Sequence, residues 1–441
     1  MSGADGRTES DQEIVAINNP HFLTALVAGD PTSDEPVEVI FRRMAAGCQN
    51  GDEQQQYEAL HFLTSLLVRG VKYTVVLPLQ SFAIQVINML KKIAGAISVL
   101  IVGSWLVVFL MLRFDTHEYT QLSDQQLIEA AAYLDGKLAP APPGWEWSAF
   151  SPEPDVDLRS GVIDSANAKG TVIVVPGFTA TIEMIMRDIV KLHAGGYRVA
   201  AIEYRGQGAS YRPLANPEKG YVESYAQLGA DLAGFAEHVR IPGKPVFFYS
   251  ISKGAHITMR MAGEQEPDVT AYALIVPMIK VNTGDLDYST MQIVAGLFHN
   301  LGLGQMYAPG QSKWPTGELV FGKPSPCNAS PDTAQIQHAL FADRESLRTN
   351  GVTMSWLYET AASTEVLFDP AHISAIPQPV KMFTAGIDSF VDTDEAQRFC
   401  GVLGQCELTH FAESRHCITR ESYALYDRVI DDVLNYFDQQ L

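Results

Sequence analysis

Basic residues are scarce in this sequence. Lys and Arg number 31 against 51 Asp and Glu, which gives a formal net charge of -20 at pH 7. Nucleic-acid binding requires clustered cations that neutralise phosphates, so the composition speaks against a nucleic-acid partner. Attraction to anionic lipid needs the same cations, and any attachment to a membrane must therefore come from apolar residues. Those make up 46% of the chain, which is enough for a large core.

Cysteines are also few. The chain has five, with no C-x-x-C pair and no spacing typical of metal ligands, so we expect neither a metal nor a cofactor. Four of them, Cys327, Cys400, Cys406 and Cys417, follow the apolar run described next. If that part of the chain is exported, Cys400 and Cys406 are close enough in sequence to pair. The pairing of the four stays open, because connectivity cannot be read from spacing.

Hydrophobic runs long enough to cross a bilayer are rare, and one stands out. Residues 93–112 contain no charge, and about 20 apolar residues span a hydrocarbon core. We expect a single transmembrane anchor there, with a buried core helix as the alternative. Lys91 and Lys92 precede the run, so the positive-inside rule predicts a cytoplasmic N-terminus and places the rest of the chain on the outer, periplasmic or extracytoplasmic side.

The sequence before this run holds no catalytic motif. Residues 1–56 are polar and predict a flexible tail, and residues 57–90 form an apolar membrane-proximal segment. Two interpretations stay open: this part has a cytoplasmic or interfacial role, or the working protein begins at Met89 with a signal-anchor pattern. A second span over 73–90 would make a hairpin. It is disfavoured by Pro78 and by the lysine pair that would form its turn.

The rest of the chain alternates between short apolar runs and helical spacing. A helix with a Pro-rich linker is predicted for 113–144 and one large domain for 145–441. Strand-like runs separated by amphipathic segments predict an α/β fold, a mostly parallel sheet with helices on both faces. The stretch 278–372 interrupts this rhythm between two strands, so we expect a helical cap over the carboxyl edge of the sheet.

A strand, a sharp turn and a helix meet in PVFFYSISKGAHITMRMAG. This is the setting of a nucleophile elbow, in which G-x-S-x-G places a serine on a strained turn at the top of a sheet. Here the pattern is Ser250-Ile251-Ser252-Lys253-Gly254, so the second glycine is present and a serine replaces the first. We predict Ser252 as the nucleophile. A surface serine at a strand end is the alternative.

An oxyanion hole in this setting uses two backbone N–H groups, one from the residue after the nucleophile and one from the loop after an early strand. Lys253 supplies the first. The early strand TVIVVP runs into Gly177, which permits a tight turn, and the N–H of Phe178 is the predicted second donor. An ordinary strand-to-helix turn is the alternative. The segment EYRGQGAS lacks the third glycine of a dinucleotide-binding loop, so no nucleotide is expected.

A serine nucleophile needs a histidine base held by a carboxylate, in the chain order Ser, acid, His. His416 lies between the last strand and the last helix, where a base loop is expected, whereas His256, His299, His338, His372 and His410 fall on the following helix, the cap region or the strand. The acid should end the preceding strand. Asp388 comes directly after AG in KMFTAGIDSF and is preferred, while Asp392 and Asp394 have the position of N-terminal helix carboxylates.

Together these motifs resemble the bacterial lysophospholipase and monoacylglycerol lipase branch of the α/β-hydrolases, the serine aminopeptidase S33-like hydrolases. PGFTATIE, EYRGQGASYR, SISKGA, AGIDSFV and RHCITRE stand in the order of that branch's motifs, over roughly residues 145–440. The resemblance implies the α/β-hydrolase fold with a helical cap, here preceded by a transmembrane helix. It also implies that Ser252, Asp388 and His416 take the catalytic roles, with Phe178 and Lys253 as oxyanion donors.

The resemblance further implies a serine hydrolase that cleaves esters of single-chain lipids through an acyl-enzyme. The departures at the elbow, where Ile251 precedes the nucleophile and Lys253 replaces the branch's methionine, bear on acyl specificity. Apolar residues of the cap region either line an acyl site or form ordinary cap core: Met291, Ile293, Leu297, Phe298, Trp356 and Leu357. The alternatives are a non-catalytic binding protein on the same fold, a peptidase or an acyltransferase.

Overall fold

The structure, a computed structural model, describes residues 79–113, 117–265, 267–314 and 321–441. The predicted tail at 1–56 lies outside the described residues. So do residues 57–78 of the predicted membrane-proximal segment.

One long helix, α1 (Leu79–Arg113), begins the described chain. Its stretch Val86–Leu112 is long and apolar enough to cross a membrane, and it contains the predicted anchor at 93–112. Lys91 and Lys92 lie within the helix, not before it, since no glycine or proline interrupts the residues that lead up to them. The helix passes both lysines without a turn, so the hairpin alternative is wrong at that position.

Residues 145–441 are built on one eight-stranded sheet with the strand order β1-β2-β4-β3-β6-β7-β9-β10. The first two strands are antiparallel to their neighbours and all later pairs are parallel. The strands are β1 Trp145–Glu153, β2 Val156–Ile163, β3 Thr171–Val175, β4 Arg198–Ile202, β5 Lys219–Gly220, β6 Val246–Ile251, β7 Ala271–Ile275, β8 Asn350–Val352, β9 Val380–Ile387 and β10 Cys406–Arg415. The short pair β5 and β8 forms a separate sheet.

Helices cover both faces of the large sheet. The helices after α1 are, in chain order, α2 Asp124–Leu134, α3 Met186–Ala194, α4 Tyr225–Val239, α5 Lys253–Glu264, α6 Tyr288–Asn300, α7 Ile336–Asp343, α8 Met354–Leu367, α9 Pro370–Ser374, α10 Thr393–Val402, α11 Ile418–Glu421 and α12 Tyr423–Asp438, with 3-10 turns at Ile182–Ile185 and Glu345–Leu347. Every residue of β3 and β7 is buried, as expected for parallel strands covered on both sides. Two apolar clusters, one on each face, form the core.

The insertion between β7 and β9 lies in two parts. Helices α6 and α8 pack together around Met291, Ala295 and Met354. Helix α7 packs instead on α2, where Ala130 is fully buried. The segment predicted as a helix and linker, 113–144, therefore contributes to a hydrophobic core with the cap.

Two disulfides join the four cysteines that follow α1. Cys400 and Cys406 are 6 residues apart with Cα atoms 5.3 Å apart, and they link α10 to the start of β10. Cys327 and Cys417 are 90 residues apart and link the insertion to the chain just after β10. The first pair is the one that sequence proximity had suggested.

Candidate active site

The nucleophile elbow lies at the carboxyl end of β6, a central strand. Ser252 joins β6 to α5 with φ 51° and ψ -115°, a positive-φ conformation that few non-glycine residues adopt. Gly254 must lack a side chain, because a Cβ there would lie 2.5 Å from the carbonyl oxygen of Pro176. The tight contact brings α5 up against the end of β3 and leaves the Ser252 hydroxyl at the sheet edge.

Ser250 occupies the position of the missing first glycine. It is fully buried, and its hydroxyl lies 2.7 Å from Thr258 Oγ1 on α5. Thr258 Oγ1 in turn donates to the carbonyl oxygen of Gly254 at 2.9 Å. The serine is small enough for the elbow and gains a hydrogen-bond partner there, so the departure from G-x-S-x-G leaves the turn intact.

The structure brings Ser252, His416 and Asp388 into one hydrogen-bonded line. His416 Nε2 lies 3.0 Å from Ser252 Oγ, and His416 Nδ1 lies 2.6 Å from Asp388 Oδ2. The serine and the histidine are each 8% exposed. Asp388 Oδ1 accepts from the N–H groups of Phe390 and Val391, at 2.8 and 3.0 Å, which fixes the carboxylate towards the ring.

The competing acids and bases are engaged elsewhere. Asp392 caps α10 by accepting from the N–H of Glu395, and Asp394 is exposed in the first turn of that helix. His256 is buried between the carbonyl oxygen of Met278 and the hydroxyl of Ser363, and burial lowers its pKa to about 3. These contacts give the groups structural roles away from the Ser252 hydroxyl.

The predicted oxyanion loop faces the elbow across a close contact. A Cβ on Gly177 would lie 3.1 Å from Ser252 Cβ, so the loop approaches the nucleophile as closely as glycine allows. Among the described residues, the N–H groups of Phe178 and Lys253 have no hydrogen-bond acceptor. Two unused donors beside a serine hydroxyl have the arrangement of an oxyanion hole.

Sequence reasoning missed the side chain that holds this loop. Gln207 is 1% exposed and comes from the EYRGQGAS segment. Its Oε1 accepts from the N–H of Thr179 at 3.0 Å, and its Nε2 donates to the carbonyl oxygens of Gly177 and Ala180 at 2.6 and 2.7 Å. Thr179 has φ 63°, so the hydrogen bonds stabilise a left-handed backbone conformation. The resemblance of EYRGQGAS to the family motif was a signal for this segment, but it assigned no role to Gln207.

Glu203, from the same segment, is a second buried polar group. Its carboxylate accepts from the N–H groups of Ile182 and Ala209, at 2.9 and 2.8 Å, and forms an ion pair with Arg159. Burial raises its pKa to about 6. A Cβ on Gly208 would lie 2.0 Å from the carboxylate, which explains the second glycine of R-G-Q-G. Gly208 therefore makes room for a carboxylate of the protein itself.

Lys253 has an unusual environment for a lysine. Its Nζ lies 4.8 to 5.8 Å from the ring centroids of four aromatic residues, Phe178, Tyr204, Tyr225 and Trp356. It is 1% exposed, and burial lowers its pKa to about 7. Trp356 belongs to α8 of the cap, and its ring also contacts that of Phe178, with centroids 5.5 Å apart. The cap and the oxyanion loop therefore meet over the Lys253 side chain.

The other apolar cap residues proposed for an acyl site are placed differently. Met291 is buried within the core of α6 and α8, while Ile293 and Leu297 are 72% and 56% exposed. Phe298 and Leu357 pack at the edge of the same cluster. Trp356 contacts the oxyanion loop through the ring of Phe178.

With this geometry in place, sequence comparison decides the family. A sequence profile described as serine aminopeptidase, S33, matches residues 166–423, more than half of the chain. The chain belongs to this family of hydrolases. The matched range contains the elbow, the Gln207 segment and the loops of Asp388 and His416.

Individual relatives agree with the family. Lysophospholipase L2 from Escherichia coli K12 is 24% identical over 253 residues, which cover 57% of this chain and 73% of that protein. A solved soluble variant of monoglyceride lipase from Saccharomyces cerevisiae has 18% identity, a TM-score of 0.54, and covers 68% of this chain and 96% of its own. A carboxyl esterase from Bacillus coagulans has 14% identity, a TM-score of 0.52, and covers 67% and 98%. The protein is an α/β-hydrolase of the lysophospholipase and monoacylglycerol lipase branch, with a lipase- or esterase-type function.

Proposed function

We propose that this protein is a serine hydrolase that cleaves carboxylic esters of single-chain lipids through an acyl-enzyme intermediate. The observation that carries the proposal is the hydrogen-bonded line from Ser252 through His416 to Asp388. The two unused N–H groups of Phe178 and Lys253 lie beside it.

The chemistry follows from the positions of the protons. Asp388 accepts from His416 Nδ1, which leaves Nε2 free to take the proton of the Ser252 hydroxyl. The serine oxygen then attacks the ester carbonyl, and the N–H groups of Phe178 and Lys253 stabilise the negative oxygen that forms. His416 returns the proton to the departing alcohol. Water, activated by the same histidine, releases the fatty acid from Ser252.

The proposal of a lipid substrate is supported by relatives and by the cap. One relative is named a lysophospholipase and a structural neighbour a monoglyceride lipase. In this chain the nucleophile and base are almost buried beneath an insertion whose Trp356 contacts the oxyanion loop. An apolar cover of this kind favours substrates with an acyl chain, since burial of each CH₂ contributes about 0.8 kcal/mol.

We further propose that α1 anchors the protein in a membrane, with the N-terminus in the cytoplasm and the catalytic domain on the outer side. Length and apolar composition support the anchor. The lysine pair near the N-terminal end of the apolar stretch supports the orientation. So do the two disulfides, because disulfides persist mainly in oxidising compartments outside the cytoplasm.

We infer that the substrate reaches the site from the bilayer along the cap. Helix α6 and the residue after it expose apolar side chains to the surroundings: Ile293, Val294, Leu297 and Leu301. The latter half of α1 adjoins this surface, where Trp105 Nε1 donates to the carbonyl oxygen of Leu301 at 2.7 Å. An apolar surface next to a membrane anchor fits a substrate that enters from the lipid phase.

Labelling with a fluorophosphonate probe tests the hydrolase directly. The full chain in detergent is compared with Ser252→Ala and with Ser374→Ala, an exposed serine away from the site. We expect labelling and turnover of a lysophospholipid or a monoacylglycerol in the wild type and in Ser374→Ala, and loss by about 10⁴- to 10⁶-fold in kcat for Ser252→Ala. Near-normal turnover by Ser252→Ala would refute the nucleophile.

Turnover of a wider set of substrates separates a peptidase, an acyltransferase and a binding protein from the proposed hydrolase. Faster cleavage of an aminoacyl anilide than of any ester would identify a peptidase. Acyl transfer to glycerol in preference to water would identify an acyltransferase. A folded wild type that neither reacts with the probe nor turns over any ester would be a binding protein on the same fold.

A C-terminal reporter tests the anchor and its orientation. The full chain, a chain that begins at Met89 and a chain that begins at Arg113 are each fused to a reporter that distinguishes cytoplasm from exterior. We expect the first two to be membrane-bound with an external reporter, and the third to be released from the membrane. A cytoplasmic reporter on the full chain would overturn the orientation.

A further inference from the structure

One of the two disulfides lies directly beside the candidate base. Cys417 follows His416 in the chain, and its partner Cys327 belongs to the insertion, 90 residues away. The backbone joins the same two residues, because the N–H of Cys417 donates to the carbonyl oxygen of Cys327 at 2.7 Å. The base loop is therefore bonded twice to a segment that is remote in sequence.

Hydrogen bonds on either side extend this connection. The Arg415 guanidinium donates to the carbonyl oxygens of Ser325 and Asn328. The Glu421 carboxylate accepts from the N–H of Ala329 at 2.7 Å and from the N–H of Arg415 at 2.8 Å. Residues 325–329 thus contact the base loop before and after His416, and we call this segment the clasp.

The sheet itself gives this loop little support, although Ile418 is fully buried after it and Thr333 Oγ1 donates to the carbonyl oxygen of Arg420 at 2.6 Å. Arg415 is the last residue of β10, which is the edge strand of the sheet, and the strand pairing with β9 is irregular between Phe411 and Arg415. On its other side, His416 is followed by the four-residue helix α11. Asp388 is fixed separately, by its own turn after β9. The sheet therefore positions the acid, whereas the base needs a further support.

We propose that the clasp, residues 325–329 with the Cys327–Cys417 disulfide, is the positioning element that keeps His416 aligned between Asp388 and Ser252. The clasp acts through the loop and touches no reacting atom. The inference rests on the proposed function, in which His416 is the base. Since a misplacement of about 1 Å can cost roughly 10²-fold in rate, release of the clasp should lower kcat without a matching change in KM.

The chain supplies a matched control. Cys327→Ser/Cys417→Ser removes the clasp disulfide, and Cys400→Ser/Cys406→Ser removes the other one, which ties α10 to the start of β10, at the far end of that strand from His416. We expect kcat for a soluble ester to fall about 10- to 100-fold in the first variant, with KM changed less than threefold. The second variant should retain wild-type kcat. Equal kcat in all three proteins would overturn the proposal.

Reduction offers the same comparison without mutation. Dithiothreitol transfers two electrons and two protons to the disulfide, which becomes two thiols, while the reagent closes to its cyclic disulfide. We expect the folded, reduced wild type to lose kcat as the Cys327→Ser/Cys417→Ser variant does, and reduction of that variant to have no further effect. Full activity after verified reduction of Cys327–Cys417 would contradict the clasp.

Two further measurements keep the proposal open to refutation. Glu421→Gln leaves both cysteines in place and removes one of the two carboxylate acceptors. It should lower kcat about 3- to 10-fold at unchanged KM, and this test stands even if the Cys327→Ser/Cys417→Ser variant fails to fold.

Proton NMR needs no turnover. The low-field signal of the His416 Nδ1–H, assigned by its loss in Asp388→Asn, should broaden or vanish in Cys327→Ser/Cys417→Ser and in Glu421→Gln, and should stay unchanged in Cys400→Ser/Cys406→Ser. An unchanged signal overturns the clasp, whereas an inactive wild type with that signal speaks only against the proposed hydrolase.

Discussion

Different interactions hold the two halves of the candidate site, the elbow with Ser252 and the loops with His416 and Asp388. At the elbow, close backbone contacts fix Ser252: Gly254 approaches β3 more closely than a Cβ allows, Gly177 packs tightly against Ser252, and buried Gln207 holds the facing loop by hydrogen bonds. At the other half, His416 and Asp388 sit on loops at the edge of the sheet, and cross-links position the base. Close packing in a buried setting holds the elbow, whereas a disulfide and hydrogen bonds to a distant segment hold the base.

This difference explains which supporting contacts of each half can be recognised from the sequence. Steric requirements at the elbow are local, so they leave a readable pattern around Ser252. The tie at His416 joins Cys417 to a residue 90 positions away, and no spacing rule points to that partner. Motif order predicts the residues of both halves. The contacts that support them from distant segments, such as the Cys327–Cys417 disulfide, need the structure.

The largest effect that separates the halves is expected at the acid. Asp388→Asn should lower kcat by about 10⁴-fold, because an amide cannot hold the His416 tautomer that leaves Nε2 free for the Ser252 proton. Asp392→Asn, which alters the cap of α10 and an ion pair with Lys280, should keep kcat within about threefold. Ester turnover measures both. Comparable losses in the two variants would move the acid away from Asp388.

The next effect concerns the buried cation at the elbow. Burial lowers the pKa of Lys253 to about 7, whereas an unfolded lysine titrates near about 10.4. Between these values the unfolded chain binds more protons than the folded protein, so the free energy of unfolding rises with pH across that window. The destabilisation caused by burying the Lys253 amine is therefore greatest below pH 7. Lys253→Met should therefore stabilise the protein by about 1–4 kcal/mol at pH 6, and less as the pH approaches 10.

Urea unfolding at several pH values measures this change, with the exposed Lys244→Met as control. Methionine keeps the backbone N–H of the candidate oxyanion hole, so turnover should survive. A stabilisation that does not vary with pH would show that the Lys253 amine is already solvated or paired in the folded state. In that event the aromatic rings around it would not form a desolvated site.

A smaller loss is expected where a side chain holds the oxyanion loop. Gln207→Leu removes three hydrogen bonds to the loop, including the one to the N–H of Thr179. We expect kcat to fall about 10- to 100-fold with little change in KM, since the loop acts mainly on the transition state. Gln405→Leu, on the exposed surface, is the control. A rise in KM at constant kcat would assign Gln207 to substrate binding.

The fold was largely predictable. The sequence profile confirms the predicted family, and the structure confirms the mostly parallel sheet. The sheet could be predicted because buried strands such as β3 and β7 are short, continuous apolar runs. The site residues were nominated from motif order, and the structure brings Ser252, Asp388 and His416 together, though their catalytic roles stay predictions. Gln207 and the packing of α7 on α2 were not foreseen, since both depend on contacts between segments distant in the chain.

The smallest expected effect lies at Ser250, where the elbow departs from G-x-S-x-G. Ser250→Gly restores G-x-S-x-G but removes the hydroxyl that contacts Thr258 Oγ1 at 2.7 Å. Thr258 keeps its own acceptor, the carbonyl oxygen of Gly254, so no buried donor is left unpaired. The loss of one hydrogen bond and the greater freedom of glycine in the unfolded chain should together cost about 1–2 kcal/mol of stability. We expect a lower Tm with kcat within threefold of wild type, measured by thermal unfolding and ester turnover, because Gly254 and not residue 250 sets the approach of α5. A kcat gain above tenfold would instead mean that Ser250 distorts the elbow, and that steric fit alone does not hold this half of the site.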